Sequence, residues 1–288
     1  MSNNEFDYII VGAGSSGCAL AEGLSADGKN QVCVIEAGGS NRNFFIKMPI
    51  GYGRIFFDKK VNWMYQTETE PNLDNRSIYW PRGKVLGGSS SINALVYCRG
   101  QKTDFEDWVH AGAKGWGWDT VRACYNSFEN PIDSLGNRTG HGGMTIKDTR
   151  NDIHKSNQRY FEMAREMGIP VINDFNGDDP REGISHYRIT TNKGFRNSSA
   201  DAFLGPARKR SNVTVITHAE VDRILFDGTT ATGIQFRENG NFIRIKARRE
   251  VIISAGSVNS PKLLQLSGIG PGQVLQENGI DPVFINDN

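Results

Sequence analysis

Residues Tyr8-Ile9-Ile10-Val11-Gly12-Ala13-Gly14-Ser15-Ser16-Gly17 set an apolar run against a glycine-rich turn of the form G-x-G-x-x-G. The order reads as strand, tight turn and helix. Glycines there let the backbone approach a pyrophosphate, which sits on the free N–H groups of the helix start. The next apolar run, from Gln31 to Ile35, delivers Glu36, 24 residues after Gly12. A dinucleotide-binding fold places at that point the carboxylate that accepts hydrogen bonds from a ribose. Six residues of glycine pattern are weak alone; the strand before, the helix after, the second strand and its terminal acid carry the reading together. The competing reading is a tight turn without a ligand, with Glu36 a solvated charge. The fingerprint does not separate a nicotinamide from a flavin dinucleotide, because both present an adenosine diphosphate.

Outward from this βαβ unit, Cys18, Ala19, Leu20 and Leu24 give the helix a small apolar face. Residues 38–82 show no period but are rich in aromatics, Trp63, Tyr65, Tyr79 and Trp80 among them. Such a segment reads either as a lid beside a ligand or as aromatic packing that fills a loop-rich side of the core. Helices are predicted from Thr103 with acids in the first turn, near Asp119 as a cap, and over 155–167 with a stop at Gly168. Residues 131–151, rich in Gly, Asn and Asp, read as loop. The period then changes to two: 213–217, 219–226, 231–236 and 242–245 predict an antiparallel meander with turns at Asp227-Gly228 and Asn239-Gly240. Residues 251–256 predict a return to a buried parallel strand, and Ser260-Pro261 the start of a further helix. The fold class is therefore α/β, a doubly wound dinucleotide-binding fold with an inserted antiparallel β-meander.

The chain has 288 residues, 33 Lys and Arg against 32 Asp and Glu, and a net charge of +1. That balance gives no electrostatic case for nucleic acid or an anionic membrane as partner, and the expected partner is a small molecule. No apolar stretch approaches the roughly 20 residues of a transmembrane helix. The polar start, Met1 to Glu5, leads straight into the first strand, so no signal peptide and a cytoplasmic location are expected. Cys18, Cys33, Cys98 and Cys124 form no C-x-x-C pair and are expected to be buried free thiols. No metal site is expected.

Two further segments resemble the signatures of the glucose-methanol-choline (GMC) family of flavin oxidoreductases. One runs Gly83-Lys84-Val85-Leu86-Gly87-Gly88-Ser89-Ser90-Ser91-Ile92-Asn93 and continues through Ala94-Leu95-Val96-Tyr97 to Gly100. The other is Gly256-Ser257-Val258-Asn259-Ser260-Pro261-Lys262-Leu263-Leu264-Gln265-Leu266-Ser267-Gly268-Ile269-Gly270. Asp104-Phe105 with Trp108, Gly115-Trp116, Asp174-Phe175-Asn176-Gly177 and Gly194 to Ser199 agree as well, so the resemblance covers Asp7 to about Asp281.

The resemblance implies FAD, with Gly12, Gly14, Ser15, Ser16, Glu36, Ala37, Gly87, Gly88, Ser89 and Ser90 as binding residues. Val85 and Asn93-Ala94-Leu95-Val96 would contact the flavin ring, and Val221 the adenine. Arg82, like Lys84, either balances phosphate charge or is an ordinary solvated cation. Some family members attach the flavin through a histidine just before this asparagine; Ile92 stands there, which implies non-covalent FAD. The implied domains are 6–151 and 194–288 for FAD binding, with 152–193 contributing to a partial substrate domain.

The implied reaction is oxidation of an alcohol, hydride passing to flavin while a base takes the hydroxyl proton. The family supplies that base from a C-terminal half, and the sequence stops at Asn288, about midway along a usual member. His110, His141, His154, His186 and His218 match no catalytic motif, so no catalytic residue is named. Three readings compete: the FAD-binding half of an alcohol dehydrogenase or oxidase, completed by a separate chain or homo-oligomer or left as a truncated gene product; a non-catalytic flavin-binding fragment; and a nicotinamide dehydrogenase, which leaves residues 82–100 unexplained.

Overall fold

The computed structural model describes residues 4–177, 182–238 and 240–287. Met1 to Asn3 of the polar start, Asn239 of the second predicted turn and the terminal Asn288 lie outside the described residues. Two compact units form, one from Met1–Asn93 with Ser198–Asn288 and one from Ala94–Asn197.

The first unit is organised by six strands, β1 (Glu5–Val11), β2 (Val32–Ile35), β3 (Val213–Ile216), β4 (Glu220–Asp227), β5 (Thr230–Glu238) and β6 (Asn241–Ile253), in the spatial order β3-β2-β1-β6-β5-β4. Ile9 and Val11 point into a core with Cys33, Ile35, Ile234, Phe236 and Leu263, while Ile10 packs on the other face with Cys18, Ala21, Val32, Val34, Leu86 and Leu204. Burial on both faces is why β1 is an unbroken apolar run rather than an alternating one. Each such side chain contributes about 1.5–3 kcal/mol on leaving water. Helix α1 (Ser15–Ser25) buries only Gly17, Cys18, Ala21 and Ser25, small residues that allow close approach to the sheet. The Ser25 hydroxyl donates to the Ala21 carbonyl at 2.6 Å, so its burial leaves no donor unmet.

Three strand expectations are corrected. Residues 242–245 and 251–253 belong to one 13-residue strand, β6, which pairs antiparallel with β5 up to Lys246 and parallel with β1 from Lys246 to Ile253, while 254–256, read as the end of the return strand, lie beyond it. The stretch Lys246-Ala247-Arg248-Arg249-Glu250 hid this continuity, because backbone pairing holds it extended while its charged side chains stay in solvent. Strand β3, read as part of the meander, instead lies parallel to β2 at the sheet edge, with Val213 opposite Val32 and Ile216 opposite Ile35. Side-chain alternation fixes a strand's faces but not its neighbour. The Asp227-Gly228 turn does join β4 to β5, with Asp227 opposite Thr230 and Gly228 at φ +57°. The helix after β6, α2 (Gly256–Leu266), starts four residues before Ser260, which places Pro261 inside it. There the proline has no N–H to offer the Ser257 carbonyl.

In the second unit a four-stranded sheet runs in the order 96–97, 188–189, 144–148, 129–132, accompanied by helices Lys102–His110, Trp118–Phe128 and Ser156–Glu166. Residues 131–151 are thus not all loop: Glu129–Ile132 and Met144–Asp148 pair in parallel. The turn between them is closed by Asp133, whose Oδ1 accepts from the Leu135 and Asn137 N–H groups. The second helix is capped by Gly117 rather than Asp119, which sits in its first turn. Cys98 and Cys124 are exposed, contrary to expectation, whereas Cys18 and Cys33 are buried. Among the described residues no helix is long and apolar enough to cross a membrane.

Candidate functional site

A cavity of about 920 Å³ opens in the first unit where β1, β2 and β6 end. The ends of parallel strands at a change of connection direction are where α/β sheets place ligands. Its floor is the glycine turn. Gly12 has φ +100°, and a Cβ there would stand 2.5 Å from the Ser254 carbonyl oxygen, so only glycine fits between the ends of β1 and β6. Ser254 fixes the crossing from the other side, donating its N–H to Val11 O at 2.8 Å and its hydroxyl to Gly12 O at 2.8 Å. Ser15 and Ser16 open α1 and line the cavity; N–H groups at a helix start have no intrahelical partner.

Glu36 is buried at the tip of β2, and its carboxylate accepts the Ala13 N–H at 2.9 Å and the Gly38 N–H at 2.9 Å. Burial pushes this carboxyl above its usual range, opposed by those two N–H bonds and by the nearby Lys84. Each oxygen keeps acceptor capacity for a further donor. Burial likewise pushes the Cys18 thiol, beneath the turn, up to about 12, which makes it inert packing rather than a nucleophile.

The second glycine segment reaches this turn through backbone contacts. Leu86 N–H donates to Gly39 O at 2.9 Å and Gly87 N–H to Ala13 O at 2.7 Å. A Cβ on Gly38 would stand 1.9 Å from the Lys84 carbonyl oxygen, and one on Gly88 would stand 2.8 Å from Gly14 Cα. The two glycine stretches, more than sixty residues apart in sequence, thus touch.

Of the residues singled out from sequence, Gly12, Gly14, Ser15, Ser16, Glu36, Ala37, Arg82, Gly88, Ser89 and Val221 line the cavity together. Val85, Gly87 and Ser90 support it from behind. Val85 is fully buried with Ile46, Ile55, Val61 and Ile92, and the Ser90 hydroxyl donates to Gly87 O at 2.6 Å and meets Ser199 Oγ at 2.8 Å. Asn93 is exposed, its N–H bonded to Ser89 O at 2.9 Å. Ala94, Leu95 and Val96 fall in the second unit; Leu95 is buried at φ +67°, Ala94 and Val96 exposed.

Sequence reasoning missed a wall made by Ala255 to Ser260 with Lys262, and the contributions of Asp222 and Arg237. The signal for the first was present, since α2 follows β6 directly and the cavity lies at that strand end. Trp63 and Tyr65 belong to the aromatic segment, which splits: they face the cavity, while Phe57 stacks on Tyr79 and Phe44 meets Phe45 edge to face in their own packing. None of the five histidines lines this cavity; the His186 ring packs tilted against Phe161, centroids 4.4 Å apart, in the second unit. Among the described residues no group of three His, Cys, Asp or Glu side chains is placed to hold a metal ion.

The parallel strands β3, β2, β1 and β6, a glycine turn into a helix and a buried acid at the second strand define a Rossmann-type dinucleotide-binding fold. The chain belongs to the GMC oxidoreductases, whose family model matches residues 6–281. It is 42% identical over 284 residues to oxygen-dependent choline dehydrogenase of Vibrio vulnificus, covering 97% of this chain and 50% of that one. It is 40% identical over 279 residues to an alcohol dehydrogenase [acceptor] of Pseudomonas putida, covering 96% of this chain and 50% of the relative. The chain therefore spans about half the length of the curated relatives it matches. Among solved structures, pyridoxine 4-oxidase from Mesorbium loti superposes with a TM-score of 0.90 at 29% identity over 97% of this chain and 55% of that one. An FAD-dependent oxidoreductase from Chaetomium thermophilum gives 0.89 at 27% identity, over 97% of this chain and 50% of that one.

Proposed function

We propose that this chain is the FAD-binding part of an oxidoreductase acting on CH–OH donors and that FAD lies in the 920 Å³ cavity. The observation that carries the reading is the contact of Gly88 with Gly14, which brings both glycine segments to the ends of β1 and β2. In this reading Gly12, Gly14, Ser15 and Ser16 hold the pyrophosphate against the start of α1. Glu36 uses its spare acceptor capacity for the ribose hydroxyls, Ala37 and Val221 flank the adenine, and Arg82 offsets phosphate charge. Gly87, Ser89 and Ser90 order the second turn, and Val85 with Asn93, Ala94, Leu95 and Val96 serve the ring. When bound, FAD supplies a hydride acceptor.

The residues present fit FAD held without a covalent bond. Where some family members carry a linking histidine, Ile92 is fully buried with Val85 and Ile46 and has no nucleophilic atom. The names of the relatives, choline and alcohol dehydrogenases, support an alcohol as substrate. No residue of this chain is assigned as the base; residues 152–193 are assigned to the substrate side. The test is the absorption spectrum of the purified chain after incubation with FAD and removal of the excess. A flavin spectrum that passes to the supernatant on denaturation is expected. A folded chain that stays colourless sinks the FAD reading, and colour that stays with the denatured chain sinks the non-covalent part alone.

A further inference from the structure

The second glycine turn does not fix its own shape. Gly87 and Gly88 stand side by side at φ +89° and +54°, and glycine reaches many backbone states at little cost, so contacts from outside the turn must select this one. Its backbone supplies three: Gly87 N–H donates to Ala13 O at 2.7 Å, Gly88 N–H to Val85 O at 2.7 Å and Ser90 N–H to Gly87 O at 3.2 Å. Side chains then hold the Gly87 carbonyl. Ser90 Oγ donates to it at 2.6 Å, Ser199 Oγ lies 3.3 Å from it, and the Ser199 N–H donates to Ser90 Oγ at 3.0 Å. A hydroxyl has one proton, and Ser90 places its own on Gly87 O. Across the 2.8 Å between the two hydroxyls Ser199 is therefore the donor, sharing its proton between Ser90 Oγ and Gly87 O.

Ser199 comes from a braced support. It is 1% exposed and directly precedes the π-helical turn Ala200–Leu204. Asp201 closes that turn: Oδ2 accepts the Ser198 N–H at 3.1 Å and the Ser198 hydroxyl at 2.7 Å, while Oδ1 accepts from Asn41 Nδ2 at 3.1 Å and pairs with Lys47. Ala200 and Leu204 pack in one core with Cys18 and Leu86, and a Cβ on Gly87 would stand 3.2 Å from Ala200 Cβ. The support thus touches the glycine turn from behind, on the side away from Gly88 and Ser89, which line the cavity.

We propose that Ser199 is a positioning residue which, acting through Ser90, locks the Gly87 carbonyl and so presents the second glycine turn to the flavin half of FAD. The proposal rests on the reading of the cavity as an FAD site. In that reading ADP uses the start of α1, Glu36 and Val221, whereas FAD also lies against Gly88 and Ser89. Loosening the turn therefore weakens FAD by about five- to ten-fold, the worth of one hydrogen bond, and leaves ADP within about two-fold of the parent. A serine that merely supported the fold would weaken both nucleotides alike.

The experiment measures FAD and ADP affinity by calorimetry on the full chain, Ser199→Ala, Ser90→Ala and the double variant. Amide hydrogen exchange at Gly88 and Ser90 is followed in the same chains without ligand. Expected are a selective loss of FAD affinity in each single variant, no further loss in the double beyond that of Ser90→Ala, and faster exchange at Gly88 and Ser90. Equal losses for FAD and ADP, losses that add in the double variant, or unchanged exchange would each overturn the role of Ser199. If the unmodified chain binds no FAD, the reading of the cavity fails, and the exchange result alone decides whether Ser199 holds the turn.

Discussion

Gly17, one turn into α1, lies directly against the carbonyl oxygen of Gly12: a Cβ on Gly17 would stand 1.9 Å from it and 2.8 Å from Ser254 Oγ. Gly12 is equally confined, by Ser254 O and by its own positive φ, but Gly14 is not, since the nearest atom to a Cβ there is Ser254 O at 3.9 Å. The three glycines of one motif therefore do different things. Gly12 and Gly17 close the strand-to-helix crossing, whereas Gly14 keeps the cavity floor free.

Thermal unfolding with FAD titration separates these roles. Gly12→Ala and Gly17→Ala are expected to destabilise the chain by about 2 kcal/mol or more, the scale of forced overpacking. Gly14→Ala should stay within about 0.5 kcal/mol of the parent while losing about ten-fold or more in FAD affinity. Equal stability losses at all three positions would contradict the division.

Glu36 gives a pH dependence with a definite sign. Burial holds its carboxyl above the usual carboxylate range, and in the proposed FAD site the ionised form is the one that would accept the ribose hydroxyls. Affinity for FAD should therefore fall as pH drops through that raised value, while exposed carboxylates are still ionised. Glu36→Gln should bind more weakly and without this pH dependence, by about 1.5–3 kcal/mol for hydrogen bonds to a charged group. Titrations across mildly acidic pH that superpose for both chains would refute the assignment.

Much of this was legible in the sequence because the decisive features are local. The glycine turn, the acid ending β2 and the Asp227-Gly228 hairpin each state their geometry within a few residues. What was not legible depends on partners. The placement of β3 beside β2 and the joining of 242–245 to 251–253 in β6 are pairing facts, and a charged surface stretch such as Lys246 to Glu250 carries no sign of its neighbour. The parallel strands within 131–151 were masked by Gly, Asn and Asp, which fill the turn between them. At the site, Gly88 was found by motif but its contact with Gly14 was not, because a close backbone approach leaves only glycine as its trace.

In the second unit Glu129 is 5% exposed and accepts from the Tyr97 hydroxyl and from Arg99, whose Nε lies 2.7 Å away. The Arg99 guanidinium also sits 5.1 Å over the Tyr125 ring. Burial and the neighbouring carboxylate both push the Tyr97 phenol up, which keeps it a donor. Arg99→Met strands a buried carboxylate and is expected to cost about 3–5 kcal/mol in urea unfolding, with part recovered when Glu129→Gln is added. A loss no larger than that of an exposed pair would show that water enters the cluster.

Asp7 ties the start of β1 to the two strands beside it. Its Oδ2 accepts the Gln31 N–H at 2.7 Å just before β2, and its Oδ1 accepts from Arg248 Nε at 3.0 Å on β6. The Arg248 guanidinium first, and then the Gln31 N–H, hold this carboxyl below its ordinary range against a smaller opposing effect of burial. A carboxyl whose pKa is lower in the folded chain than in the unfolded one adds stability at every pH above the unfolded value, about 3.9. That contribution is lost as pH falls through the folded value. Asp7→Asn should therefore be less stable than the parent at neutral pH, with the two urea midpoints converging below about pH 4. A difference that stays constant into strong acid would mean that Asp7 acts through shape rather than charge, since only the ionised carboxylate gains from Arg248.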